Sequence, residues 1–247
     1  MSTYTINDLS YVSATTITGL LGGGDALVQW AVNESFKQNN KQGWKKMRNE
    51  TCDIGHEFHS LVEIYINIKI KGNIPDLNVL FPKEIDINLR QMFYQFLVWE
   101  KYNVKFFILS ESQVVNEKFC YAGTFDFIYI NMNDDVCLVD IKTKNEIYPD
   151  VKMQLSAYKH AIESMTEKKY IIHCERNGNE WDKSLVHSII KIDKIQCLKI
   201  ARDFFDLQLY DYTNDEKYAW SAFCGLLQFY YNFKKRRANN RRAKERR

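Results

Sequence analysis

The chain has 247 residues, of which 45% are hydrophobic and 14% aromatic, and its formal net charge is +3. This composition excludes a disordered chain, and the absence of any apolar run of about 18 residues argues against a transmembrane helix. The N-terminus also lacks the basic and apolar blocks of a signal peptide, so we expect an intracellular, cytoplasmic protein, in a host cell if it is viral.

Helices are predicted for most of the N-terminal region, residues 1–105. Apolar residues recur at helical spacing over residues 53–70, which indicates one long amphipathic helix. Two of the three prolines indicate a loop over 72–84, and a further helix is predicted at about 85–102. We expect the helix at 53–70 to be the first helix of the core, whose strands follow it in the chain.

Strands are predicted for the core of the protein, residues 106–191. Runs rich in β-branched and aromatic residues, joined by turn-like polar residues, predict an antiparallel meander that a helix and two further strands follow. Helical segments before and after these strands predict an α/β fold with helical additions at both ends. The predicted elements are strands at 106–115, 121–130 and 136–143, a helix at about 150–165, and strands at 169–174 and 185–191.

The C-terminal region is predicted to be helical over residues 192–233 and to end in a basic tail at 234–247. The tail holds nine Lys or Arg residues and one acid, a net charge of +8, which leaves −5 on the other 233 residues. A cationic segment on a mildly acidic body indicates binding of nucleic acid, and a solubilising or disordered terminus is the alternative. The candidate phosphate contacts are Lys234, Lys235, Arg236 and Arg237.

Two acids and a lysine lie within or at the ends of short apolar runs. These residues are Asp126, Asp140 and Lys142. Buried charged side chains cost free energy unless they are paired or bind a metal, so three of them in one section indicate a site. Asp140 and Lys142 are two positions apart on a predicted strand and therefore point to the same face. A carboxylate that binds Mg²⁺ beside an ammonium suits phosphodiester hydrolysis, whereas a simple salt bridge between the two is the alternative.

Polar residues also recur at helical spacing on two predicted helices. His59 lies one turn after Gly55 and one turn before Glu63, so the three share one helical face. Gln154 and Tyr158 are four positions apart on the helix that follows the strand of Asp140. A histidine within the core, and a capping or packing role for the glutamine and tyrosine, are the alternatives.

Four short motifs occur in order along the chain. They are Gly-x-x-x-His from Gly55, Gly-x-x-Asp from Gly123, Asp-x-Lys-Thr from Asp140 and Gln-x-x-x-Tyr from Gln154. This arrangement, over about residues 12–175, resembles the PD-(D/E)xK nuclease superfamily and most closely its RecB-type exonuclease branch. The resemblance implies a restriction-endonuclease-like core, in which helices flank a central mixed sheet.

The resemblance also implies roles for individual residues. The metal, Mg²⁺ or Mn²⁺, would be bound by His59, Asp126 and Asp140, with the carbonyl oxygen of Ile141 as a further ligand. Lys142 would contact the scissile phosphate and the attacking water. The remaining candidates are Gln154 and Tyr158, as contacts of the nucleic acid or of the lysine, and Glu63 and Glu111, as residues that support the metal ligands; a solvated position on the strand is the alternative for Glu111.

The six cysteines are scattered along the chain without a Cys-x-x-Cys pair, so most are expected to be buried apolar groups. Some members of the resembling branch carry a four-cysteine iron–sulfur cluster. The close spacing that such a cluster uses is missing among Cys174, Cys197 and Cys224, so no cluster is expected.

Together these features predict a divalent-metal-dependent DNA nuclease. The resemblance favours an exonuclease that acts on DNA ends or single strands in recombination, repair or replication. A structure-specific endonuclease and a catalytically inactive DNA-binding or assembly protein are the alternatives. The expected partners are DNA and either further copies of the chain or a recombination or replication protein, and no membrane.

Overall fold

In the computed structural model, the elements are ordered along the chain largely as strands between helices. The described residues are 3–6, 8–22, 33, 37, 43–81, 85–144, 146–165, 175–177, 180–182, 190–201 and 206–245, with side chains for all except 43–52, 175–177, 180–182 and 234–245. The strands are β1 (Thr3–Ile6), β2 (Leu9–Ser13), β3 (Val104–Asn116), β4 (Tyr121–Asn131), β5 (Val136–Lys142), β6 (Glu175–Asn177), β7 (Glu180–Asp182), β8 (Lys194–Ile200) and β9 (Leu207–Asp211). The helices are α1 (Ala14–Thr18), α2 (Gly43–Ile70), α3 (Leu77–Leu80), α4 (Ile87–Asn103), α5 (Asp150–Ser164) and α6 (Glu216–Glu245), with short 3₁₀ turns at Gly19–Leu21 and Thr213–Asp215.

Strand β4 organises the main sheet. It pairs along its whole length with β3 on one side, and on the other side with β2 at its start and β5 at its end. The sheet continues from β5 to β8 by parallel pairing and from β8 to β9 by antiparallel pairing. Parallel and antiparallel pairs therefore coexist, and the expected mixed sheet is confirmed.

Helices cover both faces of this sheet because both faces are apolar. The α2–α4 core consists of residues such as Phe58, Phe96 and Phe127, which are 0% exposed. The α5–α6 core lies on the opposite face and includes Leu155 and Phe223, also 0% exposed. The expected α/β fold, a central sheet flanked by helices, is thereby confirmed.

Helix α6 is held against α5 by polar as well as apolar contacts. His160 stacks on Trp220 with ring centroids 3.9 Å apart, and its Nε2 lies 2.8 Å from Oε1 of Glu216. Ser156 donates a hydrogen bond to the same carboxylate oxygen. From this anchored first turn the helix runs to Glu245, so most of the basic tail continues a helix. None of the helices in the described residues is both long and apolar enough to cross a membrane.

The prediction that residues 192–233 are helical is wrong for the first part of that range. Strands β8 and β9 occupy 194–200 and 207–211, and helix α6 begins only at Glu216. A short apolar run such as that of β8 has no periodicity that separates a strand from a buried helix. Its pairing with β5 decides the conformation.

The start of the chain differs from the prediction of a helical N-terminal region. The N-terminal region begins with the β1–β2 hairpin, so its first residues are not helical, and α2 starts at Gly43 rather than at 53.

The predicted strand at 169–174 and most of that at 185–191 lie outside the described residues. The predicted elements at 85–102, 106–115, 121–130, 136–143 and 150–165 are confirmed to within three residues at each end.

Candidate active site

Three acids form a row across the middle of the sheet. The pairs Ser110–Phe127 and Ser112–Phe125 flank Glu111 of β3 and Asp126 of β4. The pair Phe127–Val139 lies one residue from Asp126 and from Asp140 of β5, so the three acids lie at one level of the sheet. Side chains on adjacent strands are about 5 Å apart in such pairs. The sheet thus brings together carboxylates that are at least 14 positions apart in the sequence. Asp126 and Asp140, which lie on short apolar runs, were predicted to belong to one site.

The alternation of side chains is interrupted at this row. Phe125 belongs to the α5–α6 core, whereas Phe127, two positions later, belongs to the α2–α4 core. Residues two apart on a regular strand share a face, so β4 is irregular around Asp126. Opposite it, Glu111 has a φ of 43°, in the left-handed region that residues other than glycine rarely adopt. Backbone strain of this kind costs free energy and clusters at functional sites.

Asp126 is held by both of its oxygens. Oδ1 lies 3.1 Å from Nδ1 of His59, on α2, and Oδ2 accepts a hydrogen bond from the backbone N–H of Ile141. Burial lowers the pKa of His59, but the charge and hydrogen bond of Asp126 outweigh this effect and raise the pKa to about 8. Burial raises the pKa of Asp126, yet the His59 and Lys142 charges hold it below its ordinary value. At neutral pH the two residues therefore form an ion pair.

Glu111 completes a group of converging donor atoms. One atom each of His59, Glu111 and Asp126 lies within 4.8 Å of the other two, and all three side chains are half-buried. Burial, and then the charge of Asp126, raises the pKa of Glu111 to about 8. One imidazole nitrogen and two carboxylate oxygens are donors that suit Mn²⁺ or Mg²⁺, so this donor set fits the expected metal.

Of the site residues, Glu111 was the hardest to assign from the sequence. Its strand neighbours are polar, so a solvated position competes with a role in the site. The structure groups Glu111 with His59 and Asp126. The charge of Glu63, one turn after His59, raises the pKa of Glu111 further, after the larger effects of burial and of Asp126.

Asp140 contacts Lys142 and Gln154. The lysine Nζ lies 2.5 Å from Oδ2 of Asp140, and Nε2 of Gln154 donates a hydrogen bond to Oδ1 at 2.9 Å. Asp140 is 3% exposed. Burial raises the pKa of Asp140 against the opposing effect of Lys142, while burial lowers the pKa of Lys142 and the Asp140 charge more than restores it. The salt bridge considered from the sequence is present, and ligation of a metal by Asp140 and the Ile141 carbonyl stays a prediction.

Gln154 and Tyr158 support Asp140 from helix α5. Gln154 Nε2 also donates to the hydroxyl of Tyr158 at 2.8 Å, and the two residues are 7% and 1% exposed. A Cβ atom at Gly123 would lie 2.3 Å from Cε1 of Tyr158. Gly123 therefore makes room for the tyrosine ring, which links two of the sequence motifs in space. The predicted contact of Gln154 and Tyr158 with nucleic acid stays a prediction.

The glycine of the first motif has a similar role. A Cβ atom at Gly55 would lie 3.0 Å from Oγ1 of Thr143, the residue after Lys142. The absence of a side chain lets helix α2 approach the end of β5. Because His59 follows Gly55 by one turn, this close approach brings the imidazole to the row of acids.

The basic tail is described only by its backbone. Lys234, Lys235, Arg236 and Arg237 lie within α6, and their predicted contact with phosphates stays a prediction. Phe229 and Phe233, just before them, are 59% and 47% exposed and stack on each other with centroids 6.1 Å apart. Exposed aromatic rings beside basic residues suit unpaired bases, and their spacing of four was visible in the sequence.

Comparison with protein-family models and with curated proteins finds no match for this chain. Any assignment of function therefore depends on the motifs and on the geometry of the site. Cys174, one of the cysteines that an iron–sulfur cluster would use, lies outside the described residues, so the absence of a cluster also stays a prediction.

Proposed function

We propose that the protein is a divalent-metal-dependent deoxyribonuclease with a restriction-endonuclease-like core. The observation that carries the proposal is the group formed by His59, Glu111 and Asp126 next to the buried Asp140–Lys142 pair. Several ionisable side chains with shifted pKa values in one place are typical of a catalytic site. The four motifs support the same function, because each contributes a residue to this site or to its support.

His59, Glu111 and Asp126 would hold the metal, and Asp140 and the Ile141 carbonyl are adjacent oxygen donors. When bound, a divalent cation supplies Lewis-acid stabilisation and lowers the pKa of a water molecule. The protein orients the donors through the Ile141 N–H on Asp126 and the Gln154 amide on Asp140. Such supporting hydrogen bonds fix the geometry of ligands in metal sites.

Lys142 supplies the positive charge for the reacting phosphate. The neighbouring Asp140 keeps its pKa high, so the ammonium stays charged although its side chain is only 21% exposed. A fixed ammonium in a partly desolvated site stabilises negative charge that develops on the phosphate. It acts without moving a proton of its own.

The proposed substrate is DNA, cleaved from ends or single strands. The tail charge of +8 favours nucleic acid in general, and the exposed Phe229 and Phe233 favour unpaired bases. A structure-specific endonuclease would use the same chemistry. A catalytically inactive DNA-binding protein would need the tail, but not Asp140 and Lys142, whose burial costs desolvation free energy.

Incubation of the protein with end-labelled linear DNA and with circular DNA, in Mg²⁺, Mn²⁺ or EDTA, tests this proposal. An exonuclease degrades the linear DNA in either metal, spares the closed circle and is inactive in EDTA. Nicking of the circle indicates the endonuclease instead. The matched control is Lys142→Met, which keeps the buried stem but removes the charge and should bind DNA without cutting it. Binding without cleavage by the unmodified protein in both metals would overturn the proposed activity.

A further inference from the structure

Helix α4 exposes an apolar stripe. Of the exposed residues on α4 and its N-cap, four are large and apolar: Ile87 is 61% exposed, Tyr94 47%, Val98 60% and Tyr102 69%. Their spacings of seven, four and four positions place them on one side of the helix. The opposite side is buried in the α2–α4 core. An apolar stripe of this length on a water-soluble surface indicates an interaction site.

The charges at the ends of the stripe have opposite signs. Besides the apolar residues, the exposed positions are Asp86, at the N-cap, and Lys101, in the last turn. They are 15 positions apart, about four helical turns, and lie at opposite ends of the helix. The other charged residues of the helix, Arg90 and Glu100, are not exposed.

We propose that α4 docks antiparallel on α4 of a second copy of this chain. A two-fold axis through the middle of the stripe places Tyr94 and Val98 at the centre and Ile87 of one copy against Tyr102 of the other. The antiparallel arrangement brings the N-terminal end of each helix to the C-terminal end of the other, so Asp86 of each copy lies near Lys101 of the other. Parallel docking would place the two Asp86 residues at one end and the two Lys101 residues at the other, so neither charge would lie near an opposite one.

The charge balance of the stripe distinguishes this occupant from nucleic acid. One acid and one base leave the exposed face of α4 without net charge, whereas a surface that binds phosphates carries an excess of Lys and Arg. The stripe is complementary to itself in both its apolar and its charged residues, as a two-fold interface between identical chains requires.

The interface is expected to be weak. Four side chains from each copy, spread over about 22 Å of helix, bury less than the roughly 1,200–2,000 Å² of a standard stable interface. The dimer should therefore form in the micromolar range. Because the Asp86–Lys101 pairs lie at the exposed ends, they contribute more to orientation than to affinity.

Sedimentation velocity at increasing concentration tests the surface. The unmodified protein should shift from monomer to dimer, and Val98→Asp should remain a monomer, because it places a charge at the centre of the stripe. The control is Tyr218→Asp, at an 80% exposed aromatic residue on α6, which should behave as the unmodified protein. Circular dichroism shows whether each variant is folded. A monomer at the highest soluble concentration, or a folded Val98→Asp variant that still dimerises, would overturn the proposal.

Cysteine cross-linking tests the antiparallel direction. The background is Cys120→Ser, which removes an exposed thiol. Ile87→Cys and Tyr102→Cys proteins should form a disulfide when mixed and remain uncross-linked when oxidised separately, beyond the level of the background protein. Cross-linking of each variant with itself, but not in the mixture, would instead show parallel docking and would rule out the proposed arrangement.

Discussion

At the scale of single residues, the site combines two ion pairs that share one row of the sheet. Asp126 pairs with His59, and Asp140 pairs with Lys142. Both carboxylates are desolvated, and each is stabilised by a neighbouring cation and by one hydrogen-bond donor. Burial, and then the charge of Asp126, raises the pKa of Glu111 to about 8, and the charge of His59 opposes this effect only in part. The protein without metal therefore holds protons that a cation would displace.

Asp140→Asn should lower DNA cleavage by at least about 100-fold, since loss of even a residue that only supports a metal ligand costs roughly 10- to 100-fold. The amide keeps the shape of the carboxylate and leaves Lys142 a polar neighbour, so the fold should remain. Turnover at saturating Mn²⁺ and the melting temperature are the measurements. Full activity in a folded Asp140→Asn protein would contradict the assignment of the site.

Binding of Mn²⁺ should become tighter as pH rises toward 8. His59 and Glu111 have pKa values raised to about 8 and must lose their protons to act as ligands, so cation binding releases protons below that pH. Calorimetry in buffers of different ionisation enthalpy measures both the affinity and the protons released.

The control for that experiment is Glu111→Gln, which removes one of the two titrating groups. This variant should bind Mn²⁺ more weakly and release fewer protons than the unmodified protein. An affinity that is the same at pH 6 and pH 8 would show that these two residues do not hold the cation.

At the scale of secondary-structure elements, two glycines set how closely helices approach the sheet. Gly55 brings α2 to the end of β5, and Gly123 brings β4 to the ring of Tyr158 on α5. The helices therefore bring His59 to Asp126 on β4 from one face of the sheet and Gln154 to Asp140 on β5 from the other. Both contacts are set by how closely the helices pack on the sheet and not by helix propensity.

Gly123→Ala should destabilise the protein by roughly 1–3 kcal/mol, because the new Cβ forces the Tyr158 ring out of a packed position. Displacement of the ring also disturbs Gln154, so cleavage should fall as well. Urea unfolding measures the free energy. Gly225→Ala, on α6 where a Cβ meets nothing within 4 Å, is the control and should be neutral or stabilising.

A double-mutant cycle assigns the cause. If the ring is responsible, Gly123→Ala should cost less in a Tyr158→Leu background than in the unmodified protein. Equal costs in both backgrounds would show that the alanine acts on the backbone of β4 and not on the tyrosine.

At the scale of the whole molecule, charge and chemistry are separated. The site lies where β3, β4 and β5 meet, whereas the basic residues continue α6 beyond its packed first half. The body carries −5 and the tail +8, so in the proposed function attraction to nucleic acid would be concentrated in the last 14 residues. The same separation predicts that affinity and turnover can be changed independently.

A protein that ends at Phe233 should bind DNA more weakly, with a flatter dependence on salt, because fewer counterions are released. Cleavage at saturating DNA should be unchanged. Fluorescence anisotropy over a series of salt concentrations, together with the melting temperature, decides the outcome. A lower melting temperature with an unchanged salt dependence would show that the end of α6 packs on the domain or on a partner.

The sequence by itself determined the local features. Runs of β-branched and aromatic residues located β3, β4 and β5. The two-residue spacing of a strand placed Asp140 and Lys142 on one face, and helical spacing placed His59 beside Glu63. These features depend on residues near one another in the chain, so they are readable from a short window. The candidate ligands came from the order of the four motifs along the chain and from the family resemblance that this order carries.

Only the tertiary structure decided the features that depend on distant residues. Strand β8 was expected to be helical, and its pairing with β5, more than 50 positions earlier, made it a strand. Glu111 joined His59 and Asp126 through the register between β3 and β4, and the link from Gly123 through Tyr158 to Asp140 required α5 to lie on the sheet. Sheet register and helix docking are set by burial over the whole core, which no local pattern contains.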